Sequence, residues 1–117
     1  MNNSIHKELA SGRWQNLTLP EQLANIGSEV NRSIKWYRKK DNVSFDKAFE
    51  RALELFDLTL TDERWRDRLK EITRSRELFC SFFYESKKHT DLENEMDSMN
   101  NYFLQFGIYV SLNKEKV

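Results

Sequence analysis

The chain has few of the residues that interrupt or crosslink a fold. It contains one proline, three glycines and one cysteine in 117 residues. A single cysteine cannot form an internal disulfide, and Cys80 follows Leu78 and Phe79, where a thiol behaves as a small hydrophobic side chain. This usage fits a reducing compartment. Because glycine and proline are the main breakers of regular structure, their scarcity favours long helices over strands and turns.

Net charge and long apolar runs are also missing. Lysine plus arginine equals aspartate plus glutamate at 19 each, so no net field attracts nucleic acid or an anionic membrane. No segment approaches the roughly 20 apolar residues that span a bilayer, and no secretion signal is recognisable. We therefore expect a cytoplasmic protein without a membrane partner.

Helical patterning dominates what is present. Four helix starts are indicated by a Ser, Thr or Asp at a capping position, twice with a glutamate three residues later. These starts are at Thr18, at Ser44, at Thr61 or Asp62, and at Thr90. Apolar residues then recur at three- and four-residue steps, as in half-buried helices. On the third helix this stripe is Trp65, Leu69, Ile72, Phe79 and Phe83, and on the fourth it is Leu92, Met96, Met99, Phe103, Phe106 and Val110.

Short connections predict the arrangement of these helices. Links of two to six residues force successive helices to run antiparallel. We therefore predict an all-α fold, an up-and-down antiparallel four-helix bundle with a short N-terminal helical arm. The arm is residues 1–16 and docks through Trp14, the single bundle domain is 17–113, and 114–117 form a C-terminal tail.

Familiar catalytic and metal-binding patterns are not found. His6 and His89 have no cysteine or carboxylate at metal-ligand spacing, and no glycine-rich phosphate loop or nucleophile-elbow serine occurs. The Glu-x-x-His pairs of carboxylate di-metal bundles are also missing. We expect no catalytic residue, no metal and no cofactor.

A basic ridge is predicted on the third helix. Arg66, Lys70 and Arg74 repeat every four residues, which would allow them to follow a phosphate backbone. The competing interpretation is a solvated face of ordinary ion pairs. Those pairs would be Asp62 with Arg66, Asp67 with Lys70 and Glu71 with Arg74.

A second basic cluster closes the first helix. Arg38, Lys39 and Lys40 follow Trp36 and Tyr37, a mixture of cations and aromatics that is typical of nucleic-acid surfaces. Cations are also expected there for a simpler reason, because they stabilise the C-terminus of a helix. With the ridge, this cluster forms the alternative hypothesis of an RNA- or DNA-binding protein.

Aromatic residues outside the stripes indicate a protein interface. Trp36, Tyr102 and Tyr109 lie off the apolar faces, and exposed together they would favour a homodimer; the alternative is simple packing of the arm.

Arg76 interrupts the apolar stripe of the third helix, so we expect it to point inward. A buried guanidinium needs a carboxylate. The candidates on the second helix are Glu50, Glu54 and Asp57. Such a structural buried pair would determine helix register; the alternative is a small-ligand or active-site pocket near Arg76.

Three segments carry a resemblance to known proteins. They are EQLANIGSEV at 21–30, KAFERALEL at 47–55 and RWRDRLKEI at 64–72. They resemble a widespread family of small bacterial helical proteins without an established activity, over about Trp14 to Phe106. The helix order is also similar, more distantly, to HEPN domains. That resemblance implies a non-catalytic, antitoxin- or accessory-subunit-like member, since the Arg-x4–6-His motif would need arginine at Phe82, Phe83 or Tyr84.

These observations lead to one main hypothesis. The complete helical patterning, the many aromatics and the missing catalytic patterns favour a non-enzymatic interaction protein. Its expected partner is another protein, and it is expected to form a homodimer.

Overall fold

The computed structural model describes residues 12–84 and 89–115. Its long helices are α1 (Leu19–Arg38), α2 (Asn42–Leu60), α3 (Leu69–Tyr84) and α4 (His89–Glu115). Short 3₁₀ helices at Trp14–Asn16 and Glu63–Arg68 precede α1 and α3. These two described ranges contain no strand, so the predicted all-α class is confirmed.

Contacts between helix ends define the topology. Arg38, the last residue of α1, places Nη2 2.6 Å from Oε2 of Glu93 near the start of α4. Tyr102, in the middle of α4, donates to Glu71 near the start of α3. These contacts show that α4 runs antiparallel to α3 and returns antiparallel beside α1. The predicted up-and-down antiparallel four-helix bundle is confirmed.

Side-chain caps explain where the first two long helices begin. At α1 the Glu21 N–H donates to Thr18 Oγ1 and the Thr18 N–H donates to Glu21 Oε1, so the predicted capping box is confirmed. For α2 the prediction of Ser44 was wrong. Asp41 is the cap, because its carboxylate reaches forward to accept the Ser44 N–H at 3.0 Å. The capping box predicted at Thr90 lies outside the described side chains.

The end of α1 is closed by a backbone motif. The Asp41 N–H donates to the Trp36 carbonyl at 3.0 Å and the Lys40 N–H donates to the Tyr37 carbonyl at 3.1 Å. This is the Schellman pattern, in which the residue after the cap is left-handed. Here that residue is Lys40, with φ of 60°.

The third helix departs from the prediction. Asp62 caps a 3₁₀ helix, not α3, and the backbone is non-helical at Trp65. The segment is held against α1 instead, because the Trp65 indole N–H donates to Gln22 Oε1 at 2.9 Å. The kink separates Trp65 from the α3 stripe, and Phe82 rather than Phe83 is fully buried.

Aromatic side chains fill much of the core. All eight phenylalanines belong to the core or pack against it, so a large part of the aromatic surplus is structural. Trp14 is fully buried and joins the same cluster, which places the end of the predicted arm inside the bundle. Residues 1–11 of that arm lie outside the described ranges. At the other end, α4 continues to Glu115, beyond the predicted boundary at 113.

Close approach of α1 and α4 depends on one glycine. A Cβ at Gly27 would lie 2.6 Å from the Cβ of Phe103, a distance that real side chains do not adopt. None of the described helices is both long and apolar enough to cross a membrane.

Candidate interaction surfaces

The predicted basic ridge is interrupted by the kink before α3. Arg66 lies in the 3₁₀ helix, whereas Lys70 and Arg74 lie one turn apart on α3. All three side chains are exposed. Among the described residues, none of the three forms an ion pair.

The ion pairs predicted for this ridge were wrong. Asp62 holds Arg64, with Nη2 and Oδ2 2.7 Å apart, and Glu71 holds Arg68. Both carboxylates therefore bind arginines outside the ridge. The tight 3₁₀ turn causes this change, because it brings Arg64 back over Asp62, and the Arg64 backbone N–H also donates to Asp62 Oδ1.

The second basic cluster lies at the opposite end of the bundle from Arg66. The two ends are separated by α2, whose 19 residues span about 28 Å at 1.5 Å per residue. Arg38 forms ion pairs with both Glu93 and Asp97 of α4. Lys39 lies over the Trp36 ring at 5.4 Å from its centroid, and Lys40 is exposed. The two clusters do not form one surface.

The three aromatics predicted to form an interface are also apart. Trp36 lies level with the first turns of α4, because the adjoining Arg38 pairs with Glu93. Tyr109 is 16 residues beyond Glu93, about 24 Å along the helix axis. Tyr102 is half-buried between α3 and α4, where burial and then the charge of Glu71 raise the pKa of its phenol. The three side chains therefore do not lie together, which is the condition under which they would have indicated an interface.

Arg76 does not point into the core. Its Nε donates to Asp57 Oδ1 at 3.0 Å, but the side chains are 31% and 59% exposed. Asp57 is one of the three carboxylates that the sequence indicated as candidate partners. The predicted buried position was wrong because α3 buries Ile72, Phe79 and Phe82 and turns Arg76 to the edge facing α2. Such an exposed pair contributes about 0–1 kcal/mol.

Arg76 does not line four of the grooves that the described residues form, including the groove between α3 and α4. The pocket near Arg76 therefore stays a prediction.

An apolar surface, of which the sequence analysis identified only Tyr109, lies on the second half of α4. Leu104, Ile108, Tyr109 and Leu112 are each more than half exposed, and we call them the outer face of α4. The buried stripe, which includes Met99 and Phe103, occupies the other side. The signal was present in the sequence as apolar residues on both sides of this helix, whereas a surface helix usually has one apolar side.

The outer face of α4 also lacks charge. Between Asp97 and Lys114 the sequence contains no charged residue. Its polar neighbours are neutral amides, Asn101 and Gln105, which are both exposed. Elsewhere among the described residues the large exposed apolar side chains, such as Val43 and Tyr84, do not share a helix face with this group.

A polar network closes the end of the bundle where α2 meets the first 3₁₀ helix. The Trp14 indole N–H donates to Thr59 Oγ1 at 3.1 Å. Gln22 Nε2 donates to the Trp14 carbonyl at 2.9 Å and to Asp62 Oδ2 at 3.0 Å. Because buried polar groups are costly unless paired, this mutual satisfaction indicates a structural role. Sequence patterning did not indicate that Gln22 was buried.

Asp62 makes this network sensitive to acid. Hydrogen bonds from the Arg64 side chain, then from Gln22 and the Arg64 backbone, outweigh desolvation and lower its pKa from 3.8 to about 2. A lowered pKa stabilises the fold above the unfolded-state value, and this contribution is lost as pH falls through about 2.

We expect Asp62→Asn to remove stability on the order of 2 kcal/mol at neutral pH. Urea unfolding of both proteins from pH 7 to pH 2 measures it. The difference should be constant above about pH 4 and shrink toward pH 2, because protonation then removes the same charge from the natural protein. A difference that does not change with pH would show that the carboxylate charge is not what stabilises this network.

Reactive and metal-binding groups are sparse in the part of the chain that is described. Burial raises the pKa of the half-buried Cys80 thiol, which keeps it protonated and weakly nucleophilic. No group of three or more His, Cys, Asp or Glu side chains within residues 12–84 and 89–115 could hold a metal ion. His6 and the side chain of His89 lie outside the described parts.

Comparison with known proteins adds no relative. No protein-family model, no curated protein and no solved structure matches this chain. The resemblances to a small bacterial family and to HEPN domains therefore stay predictions, and the class that the fold defines is an all-α four-helix bundle.

Proposed function

We propose that this chain is a non-enzymatic protein-interaction module that associates with a second copy of itself through the outer face of α4. The observation that carries the proposal is the uncharged apolar stripe of Leu104, Ile108 and Leu112, each exposed by more than half. Residues four apart lie on one side of a helix, so these side chains form a strip about 12 Å long.

A second copy fits this strip because the strip is symmetric about its centre. Leu104 and Leu112 are each four residues from Ile108. Two antiparallel α4 helices related by a two-fold axis would place Ile108 against its equivalent and Leu104 against Leu112 of the partner. No charge occurs between Asp97 and Lys114, so the same surface can meet itself without repulsion.

The available surface also extends beyond the strip. A specific interface needs about 800 Å² from each partner, more than three aliphatic side chains provide. Tyr109 adds an aromatic edge, and the neutral Asn101 and Gln105 can supply hydrogen bonds at the rim. Large apolar surfaces rimmed by polar groups are typical of protein interaction sites.

Light scattering coupled to size-exclusion chromatography tests the proposal. The natural chain should elute as a dimer at about 100 μM, well above the micromolar dissociation constants of weak specific interfaces. Ile108→Glu should elute as a monomer, because it places two like charges beside each other at the two-fold axis of the dimer. Its helical circular dichroism should be unchanged, because Ile108 lies at the surface of each copy. Val43→Glu, at a position 67% exposed on α2, is the matched control and should stay dimeric.

Opposite charges introduced at Ile108 test whether this residue lies on the two-fold axis of the dimer. Ile108→Glu and Ile108→Lys should each be monomeric, and an equimolar mixture should recover dimers because opposite charges then face each other. A monomeric natural chain at this concentration would contradict the proposal. Co-eluting nucleic acid, detected by absorbance at 260 nm and released by salt, would favour the alternative of RNA or DNA binding at Arg66, Lys70 and Arg74.

A further inference from the structure

The first half of α4 borders a groove that the dimer proposal does not use. The groove lies between α3 and α4, and its volume of about 380 Å³ is within the range of small-molecule sites. Leu78, Met99 and Tyr102 give it apolar walls. The backbones of α3 and α4 approach each other less closely than those of α1 and α4, which leaves space between their side chains.

Tyr102 gives the groove a fixed end. Its hydroxyl donates to Glu71 Oε1 at 3.2 Å, so the ring stands between the two helices. Met99 is nearly fully buried and Leu78 is 38% exposed, so the apolar surface continues from the base of the groove to its rim. A hydrocarbon chain or a ring can therefore be sheltered there.

Positive charge at the α3 rim has no ion-pair partner among the described residues. Arg74 lines the groove, is exposed and makes no ion pair with a described residue, unlike its neighbours Arg68 and Arg76, which bind Glu71 and Asp57. Lys70 lies one turn before Arg74 on the same helix and is also unpaired among the described residues. An exposed guanidinium without an ion pair can bind a carboxylate with two parallel hydrogen bonds.

We propose that the groove between α3 and α4 binds a small amphipathic carboxylate. Its apolar part contacts Leu78, Met99 and Tyr102, and its carboxylate binds Arg74, with Lys70 adding attraction. Glu95 of α4 lines the opposite wall, so the cation that binds the carboxylate lies on the α3 side of the groove. The site is independent of the proposed dimer, since none of the residues that line the groove belongs to the proposed dimer surface.

Decanoate is a suitable probe, and decanol is its uncharged counterpart of equal chain length. Titration of the full chain, labelled at the methionine methyls, should shift the Met99 signal with a stoichiometry of one. Decanoate should bind about tenfold more tightly than decanol, because only the carboxylate pairs with Arg74. Raising salt should reduce this difference.

Variants separate the two parts of the site. Arg74→Gln should weaken decanoate binding about tenfold and leave decanol unchanged, whereas Leu78→Asp should weaken both. Arg66→Gln is the matched control, because it removes a ridge cation that does not line the groove, and it should not change decanoate affinity. Ile108→Glu should also bind decanoate normally, which keeps this test separate from the dimer test.

Three results would overturn the proposal. The first is equal affinity for decanoate and decanol, and the second is an equal loss with Arg66→Gln and Arg74→Gln. The third is that decanoate does not shift the Met99 methyl signal. Binding of an acidic amphipathic peptide in the groove would not rescue the proposal in that case.

Discussion

Trp14→Ala should lower the free energy of unfolding by about 3–5 kcal/mol, the usual cost of truncating a buried aromatic residue to alanine. Trp14 is fully buried among the residues of the bundle core, although it precedes the first long helix. The loss has two parts, because the substitution leaves a cavity and removes the indole donor of Thr59 Oγ1. A domain of this size has a total stability of roughly 5–15 kcal/mol, so a large fraction would be lost.

Urea unfolding followed by circular dichroism measures this loss, and Trp36→Ala is the matched control. Trp36 is partly exposed at the end of α1, where Lys35 and Lys39 lie over its ring, so its truncation should cost less than about 1 kcal/mol. Equal stabilities of the two variants would show that the segment before α1 is not part of the folded core.

The contribution of the Trp14 hydrogen bond to stability can be measured separately from the contribution of its packing. Trp14→Phe keeps a large ring but leaves the fully buried Thr59 hydroxyl without its donor. Thr59→Val removes that hydroxyl. The double variant should therefore be about 1 kcal/mol more stable than the sum of the single losses implies, because no unpaired polar group stays buried.

Gly27→Ala should destabilise the bundle by about 2 kcal/mol, whereas Gly107→Ala should stabilise it by about 0.5–1 kcal/mol. Both glycines lie inside helices, where alanine is intrinsically better by about 1 kcal/mol. A Cβ at Gly27 would lie 2.6 Å from the Cβ of Phe103, but a Cβ at Gly107 meets no atom within 4 Å. Glycine to alanine should therefore lower the free energy of unfolding at position 27 and raise it at position 107.

Thermal and urea unfolding of both variants measure these changes, and a second-site change identifies their cause. Phe103→Leu should not rescue Gly27→Ala, because leucine keeps the Cβ that makes the closest contact. The two helices must instead move apart along a seam where Phe103 is almost fully buried. Rescue by leucine, or stabilisation by Gly27→Ala, would show that α1 and α4 lie farther apart at this position than the 2.6 Å contact implies.

The candidate surfaces show why local patterns predict position on a helix better than electrostatic partners. Arg66 was predicted to pair with Asp62 from four-residue spacing, but the turn before α3 is a 3₁₀ helix and Asp62 binds Arg64. Arg76 was predicted to be buried from its place between Ile72 and Phe79, yet α3 is rotated so that Arg76 meets Asp57 at the surface. Both errors have one cause, since a small change in helix geometry moves long charged side chains to other partners.

The sequence alone determined the helical class, the four long helices and the antiparallel order of the bundle. Apolar periodicity, caps such as Thr18 with Glu21, and short connections are local properties, so they can be recognised without coordinates. Tertiary structure alone decided which polar groups are buried, as with Gln22, and which apolar groups are exposed, as with Ile108. These outcomes depend on how much of each helix its neighbours cover, and that coverage is determined by packing between residues far apart in the chain.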